Sequence, residues 1–247
     1  VQSPQLLQLS GVGPADLLSR HGIPVLQANE AVGGNLQDHL AMSYYYKATQ
    51  PKLNNVLSNW LGKLRVGLQY LTTLGGPLSI SVNQCGGFVR SHAGAWRPDL
   101  QLYCNPITYT LAQSDTGTQI VPDKFAGFIL CFQPCRPLSR GRIDLASPDV
   151  HAAPHIKPNY LSHPDDARVA LLGAKLVQRL SQTPALRGLI KEAIAPALDT
   201  LDDAAMLAEL GHRTFLAAFG PANTAEDLSA YMGATYGIEH QAAELAD

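Results

Sequence analysis

The side chains of this sequence that could do chemistry gather in a few short stretches. The densest is "GGNLQDHL", with Asn35, Gln37, Asp38 and His39 inside five residues. Such a cluster can hydrogen-bond a polar ligand. It equally suits a turn shaped by Asn35 and Asp38, with His39 satisfied at a strand start. Asn83, Gln84 and Cys85 stand beside Gly86 and Gly87, where glycine lets a backbone approach closely and a polar side chain could meet a substrate. A plain strand edge is the competing reading. His151, His155 and His163 are spread over a proline-containing loop without carboxylates at ligand spacing, which reads as solvated imidazole and not metal. Arg136, Arg140 and Arg142 read as a solvated hairpin, because an anion site would also want helix N-termini or a glycine nest. Cys85, Cys104, Cys131 and Cys135 form no pair of metal-ligand motifs, so they read as reduced structural thiols in a cytoplasmic setting. Ser10 lacks the G-x-S-x-G elbow of a hydrolase. The stretch "LSGVGPADLLSRHGI" has the outline of a helix-hairpin-helix element that grips nucleic acid. That function needs cations near the Gly-x-Gly turn, and here Asp16 follows it while Arg20 is the only strong cation.

The elements that must position these residues belong to a chain of 247 residues, long enough for a sizeable core. Charged residues make up 15%, against about 25% in an average globular protein. Part of the surface is therefore expected to be covered by a partner, a cofactor or further chain. The net charge of −2 gives no general attraction to nucleic acid or anionic membrane. No apolar run approaches the ~20 residues that span a bilayer, and no secretion signal opens the sequence. A start at Val1, inside an ongoing element, reads as a fragment or processed product.

"SPQLLQLS" predicts a helix with Ser3 as N-cap, Pro4 at its first position and Leu6, Leu7 and Leu9 on one side. "PADLLSRHG" predicts a second, stopped by Gly22, then a buried strand at "IPVL" and a turn at "EAVGGN". A strand over His39–Lys47 and a helix near "LSNWLGKLRVGLQYLTTL" follow. "GGFVRS", "DLQLYCNPI", "FAGFILCFQP" and "GRIDLAS" predict an antiparallel sheet. A long amphipathic helix carries Val169, Leu172, Leu176 and Leu180 and ends before Pro184. After about Ala195 the sequence turns alanine-rich and helical, with a capped start at Thr224 and Asp227.

"SPQLLQLSGVGP" resembles the second signature of the glucose-methanol-choline flavin oxidoreductases. The resemblance continues in order through "HGIPVLQANEAVGGNLQDHL", "GGPLSISVNQCGGFVRS", "RPDLQLY" and "RPLSRGRIDLASPDVHAAPHIKPNYLSHPDDARVALLGAKLVQRLSQTPAL". It implies an α+β fold in which part of a Rossmann-like FAD domain (residues 1–39) joins a substrate domain with an antiparallel sheet (40–195), before a divergent helical tail (196–247). It implies FAD as cofactor and hydride transfer from an alcohol, such as choline or another primary alcohol, to the flavin. Ser3, Pro4, Asn35, Asp38 and His39 would lie on the cofactor side, and Asn83, Gln84 and Cys85 on the substrate side. The phosphate-binding G-x-G-x-x-G does not occur in this sequence, and the family's catalytic histidine pair is expected in a C-terminal segment that it lacks. No catalytic residue is therefore assigned. The tail resembles the opening helices of a GCN5-related acetyltransferase, which leaves a fusion leading into an acetyltransferase as an alternative.

Overall fold

The computed structural model describes residues 2–246 apart from 52, 82, 115–116, 196–200, 220–228, 230–231 and 234. Chain order runs α1 (Gln2–Leu9), β1 (Val12–Gly13), α2 (Ala15–Arg20), β2 (Gln27–Ala28), β3 (Met42–Ala48), α3 (Leu53–Leu57), α4 (Trp60–Thr73), a 3-10 turn (Pro77–Ser79) and β4 (Cys85–Val89). It continues with β5 (Leu100–Asn105), β6 (Tyr109–Ser114), β7 (Gly117–Pro122), β8 (Gly127–Pro134), β9 (Arg142–Asp144), β10 (His155–Lys157), α5 (Pro164–Ser181), α6 (Pro184–Arg187), β11 (Ile190–Ala195), α7 (Asp203–Phe219) and α8 (Ile238–Ala246). Helix and antiparallel sheet mix as an α+β fold requires. The contacts divide the chain into one unit of residues 1–40 with 136–168 and another of 41–135 with 169–247.

In the first unit, β1 and β2 pair in parallel with α2 as their crossover. The strand expected at "IPVL" forms instead just after it, at β2, and Val25 and Leu26 are exposed. α1 is turned against expectation. Ser3 lies inside the helix and not at its cap, and Gln5 and Gln8 are buried while Leu6 and Leu7 are exposed. The reason is hydrogen bonding: Gln5 Nε2 donates to Ala152 O at 2.8 Å and Gln8 Nε2 to Ile143 O at 3.0 Å. Each amide satisfies a carbonyl that would be costly to bury alone. "GRIDLAS", expected in the main sheet, supplies β9 instead. This strand pairs with β10 and is flanked by the Leu36–Gly141 bridge. Residues 136–168 thus pack with the N-terminal segment and not with the sheet that precedes them.

The second unit is built on an antiparallel sheet ordered β11-β3-β8-β5-β4. β3 alternates strictly, with Met42, Tyr44, Tyr46 and Ala48 buried and the residues between them half-buried, as one packed face demands. Tyr44 stacks on Phe132 with centroids 6.1 Å apart, and Tyr46 on Phe128 at 5.3 Å. α5 packs against this face. The predicted stripe Val169, Leu172, Leu176 and Leu180 is only half-buried, and the deepest positions are Ala170, Leu171, Gly173, Ala174 and Val177. Small residues win because a Cβ on Gly173 would stand 2.2 Å from Phe132 Cε2. The helix approaches the ring through the space a side chain would fill.

The β6–β7 hairpin and the edge strand β11 are elements beyond those the sequence predicts. Fully buried Asn54 ties the hairpin's base. Its Nδ2 donates to Thr108 O (2.7 Å) and Asp123 O (3.1 Å), and its Oδ1 accepts from Thr108 N (3.1 Å). In the tail α7 packs on α8, and Lys175 of α5 reaches Asp203 at 2.8 Å. The capped start expected at Thr224 and Asp227 lies outside the described residues.

Candidate functional site

Strand alternation places polar residues of β3, β5 and β8 on the sheet face opposite Tyr44 and Phe132. Register aligns Ser43 with Cys131 and Cys131 with Tyr103, then Tyr45 with Ile129 and Ile129 with Asn105, then Gln133 with Gln101. Ser43 Oγ and Cys131 Sγ are 3.2 Å apart, and Tyr103 hydroxyl also bonds the Cys131 sulfur. Gln133 Nε2 donates to Gln101 Oε1 at 2.9 Å. Asn105 is buried, and its Oδ1 has no hydrogen-bond partner. The face ends in the Lys47–Glu192 ion pair at 3.1 Å.

Burial sets the protonation of this wall. It pushes the Cys131 thiol up to about 11, against the opposing hydrogen bonds from Ser43 and Tyr103. Burial, then the neighbouring Cys131, raise the Tyr103 phenol, and the same two causes raise Tyr109. All three stay protonated at neutral pH, so they can donate or accept hydrogen bonds without taking a proton as base. The wall suits orienting a neutral hydroxyl or carbonyl.

Of the residues singled out in the sequence, Cys85 pairs in register with Cys104, on the Tyr44 side of the sheet and not the Tyr103 side. Asn83, Gln84 and Cys85 are exposed. Only Gly86 makes the close approach expected of the pair, with a built Cβ 2.4 Å from Leu102 O, while Gly87 faces open space. Ser43, Tyr45, Gln101, Tyr103, Asn105 and Gln133 were not singled out. Their signal is the every-second-residue spacing of polar groups in "MSYYYKA" and "LQLYCN".

In the first unit, Asn35 adopts a left-handed φ of 59°, and its Oδ1 accepts from Arg140 Nε at 2.9 Å. Arg140 Nη1 also donates to the carbonyls of Pro137, Leu138 and Ser139. Arg142 pairs with Asp144 at 3.3 Å. These two arginines are engaged in the fold, Arg140 while exposed and Arg142 while half-buried. Asp38 Oδ1 accepts from His39 N at 2.9 Å, and its Oδ2 accepts from Tyr160 hydroxyl. Asp166 clamps the adjoining loop, accepting from Leu138 N, Ser139 N and Ser139 Oγ. His39 is exposed, as are Ser3, Asn35 and Asp38, and Pro4 is half-buried. His151 and His155 are exposed, and His163 Nδ1 accepts from Asp165 N at 3.2 Å. Among the described residues no three His, Cys, Asp or Glu are grouped to hold a metal ion. In the Gly-x-Gly turn the Gly11 amide donates to Gln8 O at 3.0 Å and is not open to a phosphate.

Residues 137–241 match the C-terminal domain described as GMC oxidoreductase, and over most of its length the chain is similar to curated alcohol and choline dehydrogenases. It is 35% identical over 214 residues to the alcohol dehydrogenase (acceptor) of Pseudomonas putida, covering 86% of this chain and 38% of that protein. It is 34% identical to the oxygen-dependent choline dehydrogenase of Pseudomonas savastanoi pv. phaseolicola, over 83% of this chain and 35% of that protein. The chain thus spans little over a third of the length of the curated relatives it matches. A formate oxidase shares the fold with TM-score 0.71 at 22% identity, over 85% of this chain and 41% of that one. The family match runs to residue 241, into the alanine-rich tail that the sequence reading set apart as divergent.

Proposed function

We propose that this chain forms the substrate-facing part of an FAD-dependent oxidoreductase acting on CH–OH donors, such as choline or another primary alcohol. The observation that carries the reading is the wall of Ser43, Tyr45, Tyr103, Asn105 and Cys131, with Tyr103 and Cys131 held protonated by burial and the Asn105 Oδ1 buried and unpartnered. Protonated donors on a half-buried face suit a flavin ring and a neutral alcohol. They do not suit the pyrophosphate, which wants a glycine turn at a helix N-terminus, and this sequence has no G-x-G-x-x-G. A bound flavin supplies acceptance of the hydride.

The chain's own residues act around that transfer. Tyr103 and Ser43 orient the substrate hydroxyl, Cys131 fixes their donor directions, and Asn105 offers its free acceptor to a ligand N–H or O–H. Asn83, Gln84 and Cys85 border the substrate space. Ser3, Pro4, Asn35, Asp38 and His39 belong to the cofactor side. A cytoplasmic setting, supported by four cysteines that form no disulfide with one another, is part of the reading.

The test is the protein purified together with the rest of its reading frame. A bound yellow chromophore that a primary alcohol bleaches without oxygen supports the proposal, and a protein devoid of flavin refutes it. Tyr103→Phe should lower kcat/KM about tenfold while flavin content holds.

A further inference from the structure

α4 is anchored on one side and bare on the other. Of its fourteen residues only Val66 is buried. Trp60, Leu61, Leu64, Leu68 and Leu71 are 51–77% exposed. At about 100° per residue these five fall within an arc of about 100°, and Val66 projects from the opposite side. Arg65 and Lys63 border the arc on its two flanks, and both are exposed. Tyr70, Leu74, Leu78 and Ile80 extend the exposed apolar surface beyond it.

The charge along this stretch of sequence is one-sided. No Asp or Glu occurs between Asp38 and Asp99, where Lys47, Lys52, Lys63, Arg65, Arg90 and Arg97 all lie. A chain whose net charge is −2 therefore holds its longest acid-free stretch where Leu71, the most exposed leucine among the described residues, stands with Leu61, Leu64, Leu68 and Leu74.

We propose that α4 is a membrane-surface element that lies in the headgroup plane of a bilayer containing anionic phospholipid. The leucine arc would enter the acyl boundary, and Lys63 and Arg65 would meet lipid phosphates on either flank. Trp60 would sit at the interface. At about 21 Å the helix is too short to cross, and no described helix is long and apolar enough to do so. A second copy of the chain fits less well, because stacking this face on itself brings the two cations against like charges with no acid in the segment to pair them. The proposal is independent of the flavin reading.

The test uses vesicles of phosphatidylcholine with and without phosphatidylglycerol. Trp60 and Trp96 are the two tryptophans, so Trp96→Phe leaves Trp60 as the sole indole reporter. Binding to anionic vesicles, a blue shift of Trp60 emission and about tenfold weaker binding at high salt are expected. Leu68→Gln should weaken binding about tenfold, and Leu64→Gln with Leu71→Gln further. The unfolding midpoint should hold, since these positions are exposed. Lys63→Glu with Arg65→Glu should erase the preference for phosphatidylglycerol. Vesicle binding unchanged in the leucine variants would assign it to other surfaces and overturn the proposal. So would Trp60 shielded from acrylamide before vesicles are added, or a concentration-dependent dimer that Leu68→Gln breaks without any binding to vesicles.

Discussion

Gly173→Ala sets two effects of known sign against each other. Alanine in a helix interior gains about 1 kcal/mol over glycine. Here the new Cβ would stand 2.2, 2.4 and 2.8 Å from three ring carbons of Phe132, where carbon atoms rest at about 3.5–4.0 Å. Phe132 has no exposure and stacks on Tyr44, so its ring has nowhere to turn. Overpacking of this kind costs about 1–3 kcal/mol, and overlap of more than roughly 1 Å belongs at the upper end. The net is a loss of about 2 kcal/mol, or a urea midpoint lowered by about 1 M. Gly67→Ala is the matched control, because Gly67 sits in α4 with nothing within 4 Å of a built Cβ. It should raise stability by up to about 1 kcal/mol. A double-mutant cycle with Phe132→Leu should recover about 2 kcal/mol of coupling. Gly173→Ala that stabilises as Gly67→Ala does would refute the close approach of α5 to the sheet.

Asn54→Ala should cost at least about 2 kcal/mol, read by chemical denaturation, since it strands buried backbone groups of Thr108 at the hairpin base. Cys131 should resist a thiol reagent at neutral pH while exposed Cys85 reacts at once, and denaturant should abolish the difference. Its raised pKa means that keeping the thiol neutral stabilises the fold fully below the ordinary value of 9.0. That contribution is lost as pH rises through about 11, so the thermal midpoint should fall across this window and fall less in Cys131→Ser. Tyr160→Phe should loosen the turn at Asp38 by about 1.5–3 kcal/mol in the same denaturation assay, because the bond it removes is charge-assisted.

Much of the fold was legible because strands and helices advertise themselves by period. β3, β5, β8 and α5 were found from alternation, β-branched and aromatic content, and 3.6-residue spacing. What failed had physical causes. α1 reads as leucine-faced, yet the backbone carbonyls of Ala152 and Ile143 claim its glutamines across a long sequence distance. The buried face of α5 is rotated because small residues, invisible to a hydrophobicity pattern, admit the Phe132 ring. "GRIDLAS" has the composition of a sheet strand, but pairing is decided by which segment lies nearby. Alternate polar spacing marks each strand of the polar wall, but not their union, since Ser43, Tyr103 and Cys131 come from three strands that only the register brings together.

The first unit is threaded in two pieces, residues 1–40 and 136–168, so a ribosome delivers its halves far apart in time. Gln8 cannot meet the Ile143 carbonyl until the whole intervening segment has emerged. The chain departs through β3 and returns through β8, whose ends meet at Met42 and Phe132 as adjacent antiparallel neighbours. Once that pair zips, the closure entropy of the long excursion is already met, which lowers the cost of assembling the split unit by roughly 3 kcal/mol. The β3–β8 ladder is therefore a timing device as well as a scaffold, and a substitution that slips its register should delay the maturation of residues it never touches.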